Sequence, residues 1–163
     1  MMKHVGLIDT TFARVNMGAI AEDTLKNLEG YRSQFDVLRY TVPGFKDLAV
    51  ASKRLIELNG ADIVLAMGWS GGEALDNQSA QIASWGLMQA QLSTSTHILE
   101  VFVHVNESPD DPLRLAAIAT NRVQEHAKNA HTLLFAPKAL SNFAGRGIRQ
   151  GEQNIGPLIG SSS

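Results

Sequence analysis

The sequence predicts an α/β protein, a three-layer α/β/α sandwich around a four-stranded, doubly wound parallel sheet. Three observations predict it. Short apolar runs alternate with longer stretches of helical periodicity, in the order β-α-β-α-β-α-β-α. One run, residues 61–67 (ADIVLAM), is nearly continuous in apolar residues, as a strand covered on both faces requires. Glycine and proline fall at the boundaries between the runs, where turns are needed. Each connection is then a right-handed crossover.

Residues 4–9 (HVGLID) form the first strand, and residues 10–15 a turn. A helix follows from Asn16, a natural N-cap, with Met17, Ile20, Ala21, Leu25 and Leu28 at helical spacing and Gly30 as its terminator. Residues 35–42 are rich in β-formers and make strand two, which Pro43-Gly44 stops. Residues 47–58 make the second helix, capped by Asp47 and closed by Gly60. After strand three, residues 68–72 (GWSGG) read as a flexible loop. The third helix takes Leu75, Ile82, Trp85, Met88 and Leu92 as its packed stripe, and Gly86 within it implies close approach of a neighbour. Residues 97–105 are strand four. Asp111-Pro112 caps a helix that runs to about residue 131, and residues 133–143 add a short segment. The domain is expected over residues 1–143, with a Gly- and Ser-rich tail over 144–163 that is mobile unless a neighbour pins it.

Composition narrows the function classes. With 163 residues, 44% of them hydrophobic and 18% charged, the chain suits one soluble domain. A net charge of −2 without a dense basic run gives no reason to expect a nucleic acid or an anionic membrane as partner. The absence of cysteine removes disulfides, thiolate catalysis and cysteine-ligated metals. No apolar run reaches the roughly 20 residues of a membrane span, and the strand-like start shows no leader, so the cytoplasm is the expected compartment.

Ligands of doubly wound sheets sit beyond the carboxyl ends of the strands, so the chemistry is sought in the loops there. The first, Asp9-Thr10-Thr11-Phe12-Ala13-Arg14, offers hydroxyls, a ring and a guanidinium, which suit a flat heterocycle bearing a polyol; an ordinary turn with a solvated Arg14 is the plainer reading. It is not the hydroxyl- and glycine-rich phosphate loop of flavodoxins. The second carries Pro43, Gly44, Phe45, Lys46 and Asp47, where the start of a helix offers free backbone N–H groups; a plain strand-to-helix connector is the alternative. The third matches G-x-S-x-G between strand and helix, which would make Ser70 a hydrolase nucleophile, with Asp110 or Asp111 as the acid and His126 or His131 as the base. No His-Gly-Gly-type oxyanion segment accompanies it. The histidines show no zinc-ligand spacing, and no metal site is expected from them. His104 closes strand four and so stands nearest the loops.

Residues 9–14 (DTTFAR), 41–48 (TVPGFKDL), 83–92 (ASWGLMQAQL), 97–104 (HILEVFVH) and 144–151 (AGRGIRQG) together resemble the landmarks of the archaeal-type riboflavin synthases, which share a family with lumazine synthase. The resemblance covers almost the whole chain. It implies a flavodoxin-like, lumazine synthase-like fold and a cyclic homopentamer with sites between adjacent subunits. It also implies a transferase reaction, in which two molecules of 6,7-dimethyl-8-ribityllumazine yield riboflavin and 5-amino-6-ribitylamino-pyrimidinedione. No tightly bound cofactor is implied, although magnesium dependence is associated with the archaeal type. Carried onto this sequence, the resemblance makes Phe12 a stacking platform and gives Thr10, Thr11 and Arg14 ribityl or carbonyl contacts. The stretch Pro43, Gly44, Phe45, Lys46 and Asp47 would hold a pyrimidine edge, and Asp76, Glu100 and His104 would be the catalytic or proton-transfer groups. The chain departs from the family at residues 69–76 and 81–82, where a Lys and a His-Glu pair are replaced by Gly72 and by Gln81-Ile82. Either those positions are peripheral, or the chain is a diverged paralogue that binds a lumazine or flavin without turnover.

Overall fold

The computed structural model describes residues 1–160; residues 161–163, the end of the expected tail, lie outside the described residues. Its elements are β1 (Lys3–Thr10), α1 (Met17–Lys26), β2 (Phe35–Val42), a 3-10 turn (Phe45–Asp47), α2 (Leu48–Asn59), β3 (Ile63–Ser70), α3 (Ala74–Thr94), β4 (Ile98–His104), a second 3-10 turn (Val105–Glu107), α4 (Pro112–Phe135) and a third (Pro137–Phe143). The four strands are parallel in the order β2-β1-β3-β4. This is the three-layer, doubly wound arrangement expected of the sequence.

Strand alternation sorts the core into two layers. Val5 and Leu7 of β1 and Ile63, Leu65, Met67 and Trp69 of β3 face α1 and α4, which contribute Met17, Ala21, Leu115, Ala119 and Val123. Ile8, Val64, Ala66 and Phe102 face α2 and α3 on the other side. The register aligns the carboxyl ends. Thr10 stands beside Val42, and Ser70 stands beside His104.

Several local expectations need correction. The helix α1 stops at Lys26 because Asn27 takes over as cap, four residues short of the terminator assigned to it. Gly30, at φ +89°, instead closes the next turn, its carbonyl accepting from the N–H groups of Ser33, Gln34 and Phe35. Asp47 makes no side-chain cap to α2, since the preceding 3-10 turn already supplies the first backbone bonds. Residues 68–70 are not a loop. They continue β3 and pair with Phe102, Val103 and His104. The helix α4 carries on past residue 131 to Phe135.

The largest correction concerns α3. Its inner face is three alanines and one leucine, Ala80, Ala83, Leu87 and Ala90, and the stripe expected to be packed, Leu75, Ile82, Trp85, Met88 and Leu92, is turned outward. The reason is spacing between helices. A Cβ at Gly86 would sit 3.3 Å from the Ala49 Cβ of α2, so the two helices are too close for bulky side chains between them.

Residues 150–152, within the segment after residue 143, are tied to α4. The Arg122 Nε donates to the Gln150 carbonyl at 3.1 Å, the Gly151 N–H donates to Asn121 Oδ1 at 2.8 Å, and Arg114 pairs with Glu152.

Candidate active site

Two clefts open at the carboxyl ends of the strands, one on each side of the first turns of α3. The first has a volume of about 400 Å³ and is lined by Phe12, Pro43, Gly44, Phe45, Lys46, Asp47, Asp76 and Ser79. The loops after β1 and β2 are stitched into one wall. The Thr11 N–H donates to the Val42 carbonyl (2.9 Å), while the Phe12 N–H and the Thr11 hydroxyl both donate to the Pro43 carbonyl (3.2 Å each). The Phe12 ring is thereby held half-exposed, at 52% of its surface, over the cleft. Gly71 makes room for it, since a Cβ there would lie 3.3 Å from Phe12 Cζ and 2.7 Å from Asp76 Oδ2.

The other predicted residues of this region divide. Phe45 forms the floor, buried and packed at 6.0 Å against the Phe102 ring. The N–H groups of Phe45 and Lys46 open a helical segment and have no acceptor among the described residues, the condition for holding a ligand oxygen. Thr10, Thr11 and Arg14 do not line the cleft. Thr10 Oγ1 accepts from the Ala13 N–H and Thr11 braces Pro43, so both hydroxyls shape the loop, while Arg14 is exposed beyond it. Asp76 faces the cleft and also closes a capping box with Glu73 at the start of α3.

The second cleft, about 470 Å³, is lined by Asn77, Ala80, Gln81, Ser84, Glu100, Phe102 and His104. It gathers the remaining predicted groups, Glu100 and His104, together with Gln81, already singled out as a departure from the family, and adds Asn77 and Ser84, which sequence reasoning missed. The Ser84 hydroxyl donates to Glu100 Oε2, and Asn77 Oδ1 lies 3.3 Å from His104 Nδ1. Asp76 and Asn77 are consecutive yet serve different clefts, because successive residues on a helix project about 100° apart. The residues assigned to one site are therefore split in a single chain.

Two ion pairs fix the strand ends. Asp9, almost wholly buried, accepts from Arg39 (2.8 Å) and from Thr41 (2.6 Å), fixing β1 to β2 on the face covered by α1. Gly18 is required beside them, since a Cβ there would stand 2.2 Å from Asp9 Oδ2. Under the second cleft the Glu107 carboxylate accepts from the His104 N–H at 2.9 Å and from Arg122. Burial alone would raise the Glu107 pKa, but the hydrogen bonds from Arg122 and His104 outweigh it and hold the carboxyl below its ordinary value.

The serine-elbow reading fails on geometry. Ser70 sits inside β3 rather than on a sharp turn, is buried, and donates to Asn77 Oδ1 at 3.0 Å. His131 bonds the Glu29 carbonyl, and His126 is half-buried on α4 with its Nδ1 buried and unpartnered, so neither serves Ser70 as a base. Among the described residues no three histidines or carboxylates converge as a metal cage, so these residues offer magnesium no preformed ligand set. No described helix is long and apolar enough to cross a membrane.

Comparison with known proteins agrees with this architecture. The chain is 50% identical over 157 residues to a protein named riboflavin synthase from Methanothermobacter marburgensis, covering 96% of this chain and 100% of the relative. Proteins of the same name from Archaeoglobus fulgidus and Aeropyrum pernix are 45% and 43% identical, covering 95% and 97% of this chain and 98% and 99% of those relatives. The profile of one family matches residues 2–138, and on that match and those identities the chain belongs to the 6,7-dimethyl-8-ribityllumazine synthase family.

Proposed function

We propose that the chain is a riboflavin synthase, a transferase that moves a four-carbon unit between two molecules of 6,7-dimethyl-8-ribityllumazine. The products are riboflavin and 5-amino-6-ribitylamino-pyrimidinedione. The observation that carries this reading is end-to-end similarity to proteins of that name, on a fold whose first cleft sets an exposed aromatic ring against a Pro-Gly turn.

The reaction asks little of a protein nucleophile. One lumazine loses a proton from its acidic C7 methyl group and attacks the other, so the chain's task is to stack two flat rings and to move protons. Phe12 offers a face for one ring, and the N–H groups of Phe45 and Lys46 offer donors to its pyrimidine oxygens. Glu100 and His104 supply proton-transfer groups in the second cleft. Because α3 stands between the two clefts, a neighbouring copy is needed to bring the second set of groups to the first.

That requirement fits a homo-oligomer, which we take to be a cyclic pentamer in the cytoplasm. Its support is the outward apolar stripe of α3, together with two open sheet edges, β2 and β4, which folded proteins usually cover.

A second reading, a lumazine- or flavin-binding paralogue without turnover, draws on Gln81. It lines the second cleft at a position where the resemblance calls for an ionisable side chain, and an amide moves no proton. Mixing the purified protein with the lumazine and following riboflavin fluorescence decides between them. Fluorescence that grows with time and enzyme supports the synthase; saturable binding with no growth supports the paralogue.

A further inference from the structure

We propose that Asn77 is a positioning residue for His104. Its side-chain carbonyl takes the Nδ1 proton of the ring, so that Nε2 presents its lone pair to the second cleft. The inference rests on the function proposed above only for the use made of that lone pair.

The residue sits where three elements meet. Ser70 and His104 are paired across β3 and β4 at their carboxyl ends, and Asn77, from the beginning of α3, reaches both. Asn77 Oδ1 lies 3.0 Å from Ser70 Oγ and 3.3 Å from His104 Nδ1. An amide oxygen has two lone pairs and no proton, so both neighbours must donate to it. Ser70 is 1% exposed, and its hydroxyl, cut off from water, is satisfied by this bond. A neutral imidazole that donates from Nδ1 carries its lone pair on Nε2. The Ser70 hydroxyl thus holds the amide, and the amide holds the ring.

The main chain of His104 is fixed as well. Its N–H donates to Glu107 Oε1 at 2.9 Å, and that carboxylate is gripped by Arg122, which also donates to the Phe102 carbonyl at 3.0 Å. The charged groups facing the ring's surroundings are therefore Glu107 and Arg122 on one side and Glu100, in the same cleft, on the other. Glu100 already accepts from Ser84. A histidine with its main chain fixed and one ring nitrogen committed is a general base with a fixed direction.

The test uses the full chain labelled with 15N-histidine, with the His104 ring signals identified by their loss in His104→Gln. Two-bond proton–nitrogen spectra of the neutral ring separate the tautomers. The expected result is protonation at Nδ1 in the unaltered protein and in Asn77→Asp, which keeps an acceptor, and loss of that preference in Asn77→Ala. In riboflavin formation, Asn77→Ala should lower kcat about tenfold or more with KM little changed, and Asn77→Asp should recover much of it. Protonation at Nε2 in the unaltered protein would overturn the proposal, because the amide would then be turned the other way. So would a kcat for Asn77→Ala equal to that of the parent. If the unaltered protein makes no riboflavin at all, the proposed function fails, and the tautomer spectra still decide what Asn77 does.

Discussion

Arg122 Nη1 and Nη2 each lie 2.7 Å from an oxygen of the Glu107 carboxylate, a two-pronged pair at the end of β4 with both side chains largely covered. Removing one partner strands the other. Arg122→Met should cost about 2–4 kcal/mol in urea unfolding, and Arg122→Lys should recover only part of it, because an ammonium cannot match both oxygens. The Glu107 carboxyl is held below its ordinary 4.5, so the stability from this pair is fully present above pH 4.5 and is lost as pH falls through the lowered folded value. Glu107→Gln should show a shallower loss of stability over that acid range.

His126 gives a second, separate pH window. Burial, then the neighbouring Arg122 charge, depress its pKa from 6.5 to about 4. Between these values the unfolded chain binds a proton that the folded chain refuses, so stability is full above pH 6.5 and declines as pH falls toward 4. The loss should be on the order of 2–3 kcal/mol. In His126→Gln, urea midpoints measured from pH 7.5 to 4.5 should lose much of this slope. A slope as steep as the parent's would assign the acid sensitivity to other groups.

Phe12 is half-exposed at the first cleft rather than packed in the core, so its substitutions should separate binding from folding. Phe12→Ala should weaken riboflavin or lumazine binding by about 1–3 kcal/mol while the melting temperature stays put. Phe12→Trp should bind nearly as well as the parent. Earlier melting with unchanged binding would place the ring in the core.

Trp85, 63% exposed on the outer face of α3, tests assembly. Trp85→Glu should shift sedimentation of the micromolar protein toward the 17.6 kDa subunit, with little effect on the helical circular dichroism. A parent that already sediments as a monomer would remove the oligomer reading altogether.

Ser70 should resist a serine-directed phosphonate at any concentration that leaves the protein folded. Stoichiometric labelling at Ser70 would restore the hydrolase that the buried, in-strand position argues against.

The fold was legible because its signals are local. The apolar run through residues 63–67, the Asn16 and Asp111 caps and the Gly60 terminator each act within a few residues of themselves. The α3 stripe was misread because periodicity reports that a face is apolar, not what covers it. Small and bulky residues both recur at helical spacing there, and the choice between them is made by the nearness of α2. Residues 68–70 look like a loop in the sequence because a pentapeptide pattern carries no information on strand pairing, and five residues look the same as a turn or as the end of β3. Phe12 and the 43–47 turn could be placed from strand ends alone. Asn77 and Arg122 could not, since their partners lie on other elements and no local pattern joins them.

The guanidinium of Arg122 has a place in time as well as in space. Its acceptors at Phe102 and Glu107 precede it in the chain, and the last, the Gln150 carbonyl, follows it by 28 residues. During synthesis the sheet is complete before that carbonyl exists. A nascent chain halted short of residue 150 would hold all four strands and α4, with one donor of the arginine still turned to water. The main chain of β4 is thus tightened only after the sheet is complete, by a segment that contributes no strand to it.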